Sequence, residues 1–129
     1  MESIAKTRHW DVAVDSAEKL VRVTRSMVPL GGLDDLQRAH KELLRLIAPY
    51  LEYRLLLDVR FGPSRSDPEY EQGLQSLRKQ ILARFDRVAI LVKSAVGKLH
   101  ATRLTREDGS RAQIFQDEAM ALDYLRAGD

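Results

Sequence analysis

The stretch LLLDVRFGPSRSDPEYEQGLQSL, from Leu55 to Leu77, contains the pattern that decides the fold class. Its first part is apolar, its last part has apolar residues at helical spacing, and a loop at residues 62–67 separates the two. The apolar part, read from Tyr53 to Phe61, has consecutive apolar residues at its centre and so no solvent-facing side there. This is typical of an interior strand in a parallel or mixed sheet. The stretch therefore predicts a strand, a loop and a helix in succession.

The helix after the loop has a marked start and one apolar face. Ser66 and Glu69 can form a capping box, or Asp67 can cap the helix with Pro68 as its first residue. The apolar residues that follow recur at intervals of four, three, four and four, and they are Tyr70, Leu74, Leu77, Ile81 and Phe85. This spacing places them on one helix face, which we expect to pack on the sheet.

The residues upstream of this stretch predict a hairpin followed by a helix. The segments WDVAVD (10–15) and KLVRVTRSM (19–27) alternate in the manner of strands, and SAEK between them is short enough for a hairpin turn. Asp34 or Asp35 can cap the next helix. Its apolar stripe consists of Leu36, His40, Leu43 and Ile47.

The residues downstream complete an alternation of strands and helices. RVAILVK (87–93) is a second buried strand, Ser94 can cap a helix in AVGKLHATRLTRE, RAQIFQD (111–117) is a short strand, and DEAMALDYLRAG is a closing helix. The order β-β-α-β-α-β-α-β-α predicts an α/β fold with a single mixed, mainly parallel sheet of four or five strands and helices mostly on one face. We assign residues 1–9 to an N-terminal leader and residues 10–127 to a single domain.

Composition excludes several classes of site. The chain has 129 residues, 44% of them hydrophobic, and no cysteine, so disulfides, thiolate catalysis and cysteine-based metal sites are excluded. It contains no apolar run of the length of a signal peptide or a membrane span. We therefore expect a cytoplasmic protein.

Positive charge is concentrated in one part of the chain. The net charge is +2, but residues 78–111 hold nine Lys or Arg against three Asp or Glu. Such a basic surface can attract an acidic protein, a phosphate or an anionic membrane surface. The alternative is an ordinary solvated helix face with interspersed charges.

Three segments together resemble the SpoIIAA-like branch of the STAS superfamily. They are the central strand LLLDVRF, the strand and helix in FDRVAILVKSAVGKLHATRL, and the closing IFQDEAMALDYL. The resemblance covers nearly all of residues 10–127. It implies a small single-sheet domain that binds protein partners or small ligands, often as a dimer, without turning over a substrate.

The resemblance also directs attention to the loop after the central strand. In the anti-sigma-factor antagonists of that superfamily, a Ser or Thr in an Asp-Ser-Ser/Thr-Gly motif starts the next helix and is phosphorylated by a partner kinase. Ser66 lies at roughly that place, but the motif is absent, and either Ser64 or Ser66 is a candidate for modification. A phosphate on Ser66 would gain from Arg60 or Arg65 and be opposed by three nearby carboxylates, so we favour a structural cap.

Asp58 and the histidines are the remaining candidates for chemistry. A carboxylate at the end of an apolar strand is costly to bury without donors, so Asp58 either braces the loop through the amides near residues 64–66 or coordinates a metal or ligand. We favour bracing, because no second acidic residue is fixed near it by the sequence. His40 lies on an apolar stripe, where a packed histidine is favoured over a ligand or base. No catalytic pair can be assembled, so we expect no enzyme activity, cofactor or metal.

Two hypotheses for function follow. In the first, the protein is a regulatory or adaptor module that docks a protein partner through residues 62–67 and the neighbouring helix ends. In the second, a shallow site binds a lipid headgroup or another small anionic ligand, because 129 residues leave little room to enclose a whole lipid. No nucleic-acid partner is expected. The candidate binding residues are Asp58, Arg60, Ser64, Arg65, Ser66 and Lys98.

Self-association is predicted from the helix between Ala95 and Thr105. Its apolar residues Val96, Leu99 and Leu104 spread around more than one face, so packing on the sheet can cover only part of them. We therefore expect a two-fold homodimer that uses this helix or the adjoining sheet edge, as the resemblance also implies.

Overall fold

The fold is built on one mixed sheet whose six strands lie side by side in chain order. The computed structural model describes residues 1–63 and 68–127, apart from the side chains of residues 68–71, 74 and 77. The first two strand pairs are antiparallel and the next three are parallel. The strands are Glu2–Lys6 (β1), Trp10–Asp15 (β2), Leu20–Arg25 (β3), Arg54–Asp58 (β4), Val88–Leu91 (β5) and Gln113–Phe115 (β6).

Helices connect the parallel strands. In the described residues they are Leu33–Ile47 (α1), Pro68–Leu82 (α2), Ala95–Glu107 (α3) and Glu118–Arg126 (α4), with a short 3₁₀ turn at Ala48–Tyr50 after α1. The α/β class and the order of these elements are as predicted from the sequence. None of the described helices is long and apolar enough to cross a membrane.

The predicted count of four or five strands was wrong, because β1 adds a sixth. It lies within the segment that we assigned to a leader, and it pairs with β2 from Glu2 opposite Val14 to Lys6 opposite Asp11. Four of its five residues are exposed. An edge strand held by backbone hydrogen bonds needs little burial, so its sequence lacks the alternation that reveals an inner strand.

The helices cover the two faces of the sheet unequally. Helices α1 and α2 and one side of α3 pack on one face, where the larger cluster of buried side chains lies. Helix α4 packs on the opposite face over a smaller cluster that contains Leu56, Leu91 and Leu125. Strands β4 and β5 are therefore covered on both sides, and all four residues of β5 are buried, as predicted for interior strands.

The start of α1 differs from the prediction. Gly32, instead of Asp34 or Asp35, is the capping residue, and its capping position has no side-chain hydrogen bond. Asp35 lies in the first turn and accepts a hydrogen bond from the Gly31 amide at 2.8 Å. The carboxylate of Asp35 thus accepts the hydrogen bond of the Gly31 amide from within the first helical turn. Its negative charge near the N-terminus also interacts favourably with the helix dipole.

Helices α1 and α2 approach each other closely at Gly73. A Cβ atom at this position would lie 2.6 Å from Leu33 Cδ1 and 3.1 Å from Leu36 Cδ2, so the absent side chain leaves room for α1. The predicted α1 stripe, including His40, is buried. On α2, Ile81 is buried as predicted, whereas the side chain of Leu74 lies outside the described residues.

Replacing Ile81 with Asp should unfold the domain or lower its free energy of unfolding by at least about 3 kcal/mol, because an unpaired carboxylate would enter the apolar core. Urea unfolding followed by fluorescence of Trp10, the one tryptophan in the chain, measures this. Gln80→Asp, at the exposed neighbouring position of the same helix, is the control and should cost less than about 1 kcal/mol. Equal melting of both variants would contradict the assignment of this face to the core.

Candidate functional site

Asp58 is a fully buried carboxylate at the end of β4, with 0% of the residue exposed. It lies two residues after Leu56, which belongs to the cluster under α4, so both side chains are on the α4 face of the sheet. Parallel pairing places Asp58 next to Thr24 of β3. A carboxylate in this position requires donors or a cation.

Arg60 and Arg22 supply those donors. The backbone amide and Nε of Arg60 donate to Asp58 Oδ1 at 3.1 and 3.0 Å, and Arg60 Nη2 donates to Oδ2 at 2.9 Å. Arg22, from the middle of β3, donates from Nη2 to Oδ2 at 3.0 Å. Both carboxylate oxygens therefore accept hydrogen bonds from guanidinium groups, which is a strong, charge-assisted arrangement.

Glu118 completes the group, which we call the Asp58 cluster: Asp58, Arg60, Arg22 and Glu118. Glu118 Oε1 accepts hydrogen bonds from Arg22 Nη2 at 2.6 Å and from Arg60 Nη2 at 3.2 Å. Two carboxylates face two guanidinium groups, so the formal charges cancel. Since Glu118 lies in the first turn of α4, it also complements the helix dipole and ties that helix to β3 and β4.

Burial alone would raise the pKa of Asp58, but its hydrogen bonds with Arg60 and the charges of Arg60 and Arg22 outweigh this effect and hold the pKa below its usual value of 3.8. The hydrogen bond to Asp58 raises the pKa of Arg60 in turn. Both groups are charged at neutral pH and satisfy each other. Arg60 and Arg22 are the donors to Asp58 among the described residues, whereas the amides near residues 64–66, through which the sequence predicted bracing, lie outside them.

Across the described ranges, no three His, Cys, Asp or Glu side chains are grouped so that they could hold a metal ion. The carboxylates of Asp58 and Glu118 are the two acids that the fold brings together at the end of the central strand, and both are already bound by arginines. The Asp58 cluster is thus suited to holding β3, β4 and α4 together.

A cavity of about 630 Å³ lies on the other face of the sheet, between β4, β5 and helices α1 to α3. Pro63 and His100 line it and are exposed, so the cavity reaches the surface beside them. Its walls are mainly apolar. The apolar lining includes Trp10, Leu30, Leu36, Leu43, Leu57, Val59, Ile81, Leu82, Ile90, Val92, Ala101 and Leu104.

Few polar side chains of the described residues face this cavity, and two of them are arginines that already make hydrogen bonds. Arg25, at the end of β3, donates from Nη1 to the Ser26 carbonyl at 2.7 Å and from Nη2 to the Val28 carbonyl at 2.8 Å. Arg78 Nε donates to Asp108 Oδ2 at 2.7 Å. The hydrogen bonds of these two arginines therefore stabilise the walls of the cavity.

His40 is the buried histidine of the cavity wall, with 5% of the residue exposed. Its Nδ1 lies 3.0 Å from the carbonyl oxygen of Leu36, and its ring meets Trp10 edge to face with centroids 5.8 Å apart. Burial is the main cause that lowers the pKa of His40, and the charge of Arg25 lowers it further. The packed position predicted for His40 is therefore observed, but at the edge of a cavity that the sequence did not reveal.

The candidate residues are distributed over several regions. Asp58 and Arg60 belong to the Asp58 cluster on the α4 face, whereas Lys98 is exposed on α3. Ser64, Arg65 and Ser66, and with them the candidate phosphorylation of Ser66, lie outside the described residues.

The apolar residues proposed for a dimer interface do not share one environment. Val96 and Leu99 on α3 are 76% and 74% exposed. Leu104 is half-buried and lines the cavity, so it faces another side of the helix.

Only part of the basic segment is available to a partner. Arg78 binds Asp108, and Arg87 donates to the carbonyl oxygens of Tyr124 and Ala127 while lying over the Tyr124 ring. The other cations of this segment are exposed, and they are Lys79, Arg84, Lys93, Lys98, Arg103, Arg106 and Arg111. Two of the nine cations that suggested an anionic partner, Arg78 and Arg87, thus bind groups within the protein.

Comparison with known proteins identifies the fold. No family model matches the chain, and no curated protein matches it in sequence. A crystal structure of an uncharacterized protein from Shewanella loihica PV-4, of the DUF3478 family and with a SpoIIAA-like fold, superimposes with a TM-score of 0.66. The match covers 95% of this chain and 98% of that chain at 16% sequence identity. The chain therefore has a SpoIIAA-like fold, as its sequence indicated.

Asp58→Asn should lower the free energy of unfolding at pH 7 by about 2 kcal/mol, because it removes a buried charge and leaves two half-buried guanidinium groups with only Glu118. Since the folded-state pKa of Asp58 lies below its usual value of 3.8, the stabilisation is present above pH 3.8 and is lost as the pH falls through the lower folded value. The difference between the parent and the variant should therefore shrink in acid. Urea unfolding at several pH values measures both effects.

The control for this experiment is Asp86→Asn, at an exposed position beyond α2. It should change the stability by no more than about 0.5 kcal/mol. An Asp58→Asn variant as stable as this control would show that the cluster does not brace the fold.

Proposed function

We propose that this protein is a non-enzymatic binding module that holds a small, mainly apolar molecule between the sheet and helices α1, α2 and α3. The observation that carries the proposal is the cavity of about 630 Å³. Ligand sites in proteins typically enclose about 300–1,000 Å³ and are lined mainly by apolar side chains with a few polar groups. The cavity has this size and this lining.

Ordinary packing does not account for a space of this size. Protein interiors are close-packed, and voids much larger than a water molecule are few. Here the walls are buried core residues such as Leu36, Leu43 and Ile90, while Pro63 and His100 bring the cavity to the surface. An apolar space with access from solvent suits a molecule that enters and leaves.

The cavity changes the balance between the two functions predicted from the sequence. We expected a shallow site, whereas fully buried core residues such as Leu36 and Leu43 line this cavity, and the arginines on its walls already donate to carbonyl groups and to Asp108. Both features favour an apolar body over a bare anionic headgroup. The docking of a protein partner on residues 62–67 stays a separate hypothesis, because no observation on the described residues favours it over the cavity.

The absence of catalysis is also a proposal. The acids that meet at the end of β4 are neutralised by arginines, and no carboxylate among the described residues hydrogen-bonds to His40. General acid–base catalysis requires a positioned pair with suitable protonation states. The observed groupings support binding without turnover.

Ala101→Phe should weaken binding of the neutral fluorescent probe N-phenyl-1-naphthylamine at least tenfold, because Ala101 lines the cavity and a larger side chain would occupy it. A fluorescence titration of the parent and the variant measures this affinity. Ala95→Phe introduces the same side chain on the same helix at an exposed position and should leave the affinity unchanged.

Two outcomes would refute the cavity as a binding site. In the first, the parent binds no probe at concentrations up to its solubility limit. In the second, the parent binds the probe and both variants bind it equally well, which would place the site elsewhere.

We also propose that the outer face of α3 mediates a homodimer. Val96 and Leu99 support this, because two large aliphatic side chains of one helix are each about three-quarters exposed. Leu104 is left out of the interface, since it faces the cavity.

Leu99→Glu should convert a dimer to a monomer at micromolar concentration, because the substitution places a charge in an apolar interface. Light scattering gives the mass in solution. Gln80→Glu, exposed on α2, should have no effect. A parent protein with the mass of one chain throughout the concentration range would refute the dimer.

A further inference from the structure

His40 has one ring nitrogen fixed by the fold. Its Nδ1 lies 3.0 Å from the Leu36 carbonyl oxygen, and a carbonyl oxygen can only accept, so Nδ1 carries a proton and donates it to that bond. The edge contact with Trp10 sets the orientation of the imidazole ring. Trp10 is itself held by a hydrogen bond from Nε1 to the Ala39 carbonyl at 2.8 Å.

The second ring nitrogen, Nε2, is then a hydrogen-bond acceptor. Burial keeps the pKa of His40 below its ordinary value of 6.5, so the ring is neutral at pH 7 and Nε2 has a free lone pair. No hydrogen bond joins Nε2 to any of the described residues. His40 lines the cavity and is 95% buried, so a molecule inside the cavity is the available partner for this lone pair.

Among the residues that the structure describes, the other buried polar side chains of the cavity wall have partners within the protein. Arg25 and Arg78 donate as described above, and the buried Thr105 hydroxyl donates to the Thr102 carbonyl at 3.0 Å. His100 is exposed at the rim. On the described part of the cavity wall, His40 Nε2 is thus a buried acceptor whose ring is fixed and to which no described residue donates.

We propose that the ligand of this cavity carries a hydroxyl group on an apolar body and that this hydroxyl donates a hydrogen bond to His40 Nε2. The inference rests on the proposed function and specifies the chemical class of the ligand as a neutral alcohol or phenol. A carboxylate would bring negative charge against the lone pair of a neutral imidazole. An ammonium group would have to leave water and approach the charge of Arg25.

The test compares three ligands with the same ring system, each displacing N-phenyl-1-naphthylamine from the full chain at pH 7. 2-Naphthol is neutral at this pH, as phenols are, and donates a hydrogen bond. 2-Methoxynaphthalene has the same oxygen without the donor, and 2-naphthoate is an anion. The parent should bind 2-naphthol about tenfold more tightly than 2-methoxynaphthalene, the factor for one buried hydrogen bond.

Variants at His40 then locate the acceptor. His40→Leu should lose the preference for 2-naphthol while its affinity for 2-methoxynaphthalene stays within about twofold. His40→Gln should retain part of the preference, since the side-chain amide can donate to the Leu36 carbonyl and still accept from the ligand. Lys41→Leu, at the exposed neighbouring position of the same helix and outside the cavity lining, is the control and should keep the full preference.

The outcomes separate this inference from the proposed function. Equal binding of 2-naphthol and 2-methoxynaphthalene by the parent would overturn the inference and leave the cavity as a binding site. Tightest binding of 2-naphthoate would overturn it in favour of an anionic ligand. A preference for 2-naphthol that survives in His40→Leu would place the acceptor elsewhere.

If His40→Leu does not fold, the preference of the parent and its partial retention in His40→Gln decide the question. Failure of the parent to bind any of the probes would overturn the proposed function itself.

Discussion

The buried carboxylate of Asp58 determines how three segments meet at the end of the central strand. An ionised group with no exposed surface is stable only with charged partners, and its partners come from three other segments: Arg22 in β3, Arg60 after β4, and, through these arginines, Glu118 in α4. Arg22 and Glu118 are 96 residues apart in the chain. The cluster therefore holds α4 against the sheet at the point where the central strand ends, and removal of one member leaves an excess of the opposite charge.

This attachment gives the two faces of the sheet different roles. On the α4 face, small residues such as Ala89 and Ala121 are fully buried and allow the helix to approach the sheet closely. On the opposite face, α3 buries little of its surface, and Thr105 is its one buried residue among those that the structure describes. A helix attached so weakly to the core can border a cavity without closing it.

His40 connects the packing of the larger face with its proposed chemistry. Its position on the α1 stripe is explained by packing, since Leu36 and Trp10 hold the ring in place. The same contacts fix the tautomer and leave Nε2 as the acceptor that we propose for a ligand. A buried histidine can thus be both a packed residue and a recognition group, because each ring nitrogen has its own partner.

The sequence by itself determined the α/β class, the order of the main strands and helices, the buried α1 stripe and the Ser94 cap, which accepts a hydrogen bond from the Gly97 amide. These features depend on periodicity and on contacts within a few residues, so they can be read locally. The tertiary structure alone decided the pairing of β1, the Gly32 start of α1, the meeting of Asp58 with Glu118, and the cavity beside His40. The meeting of Asp58 with Glu118 and the cavity depend on which distant segments become neighbours, whereas β1 pairs with the nearby β2 through backbone hydrogen bonds that leave little pattern in its sequence. The start of α1 depends on which of several adjacent residues leaves helical geometry, and a side chain such as Asp35 can satisfy a free amide from inside the helix as well as from its cap.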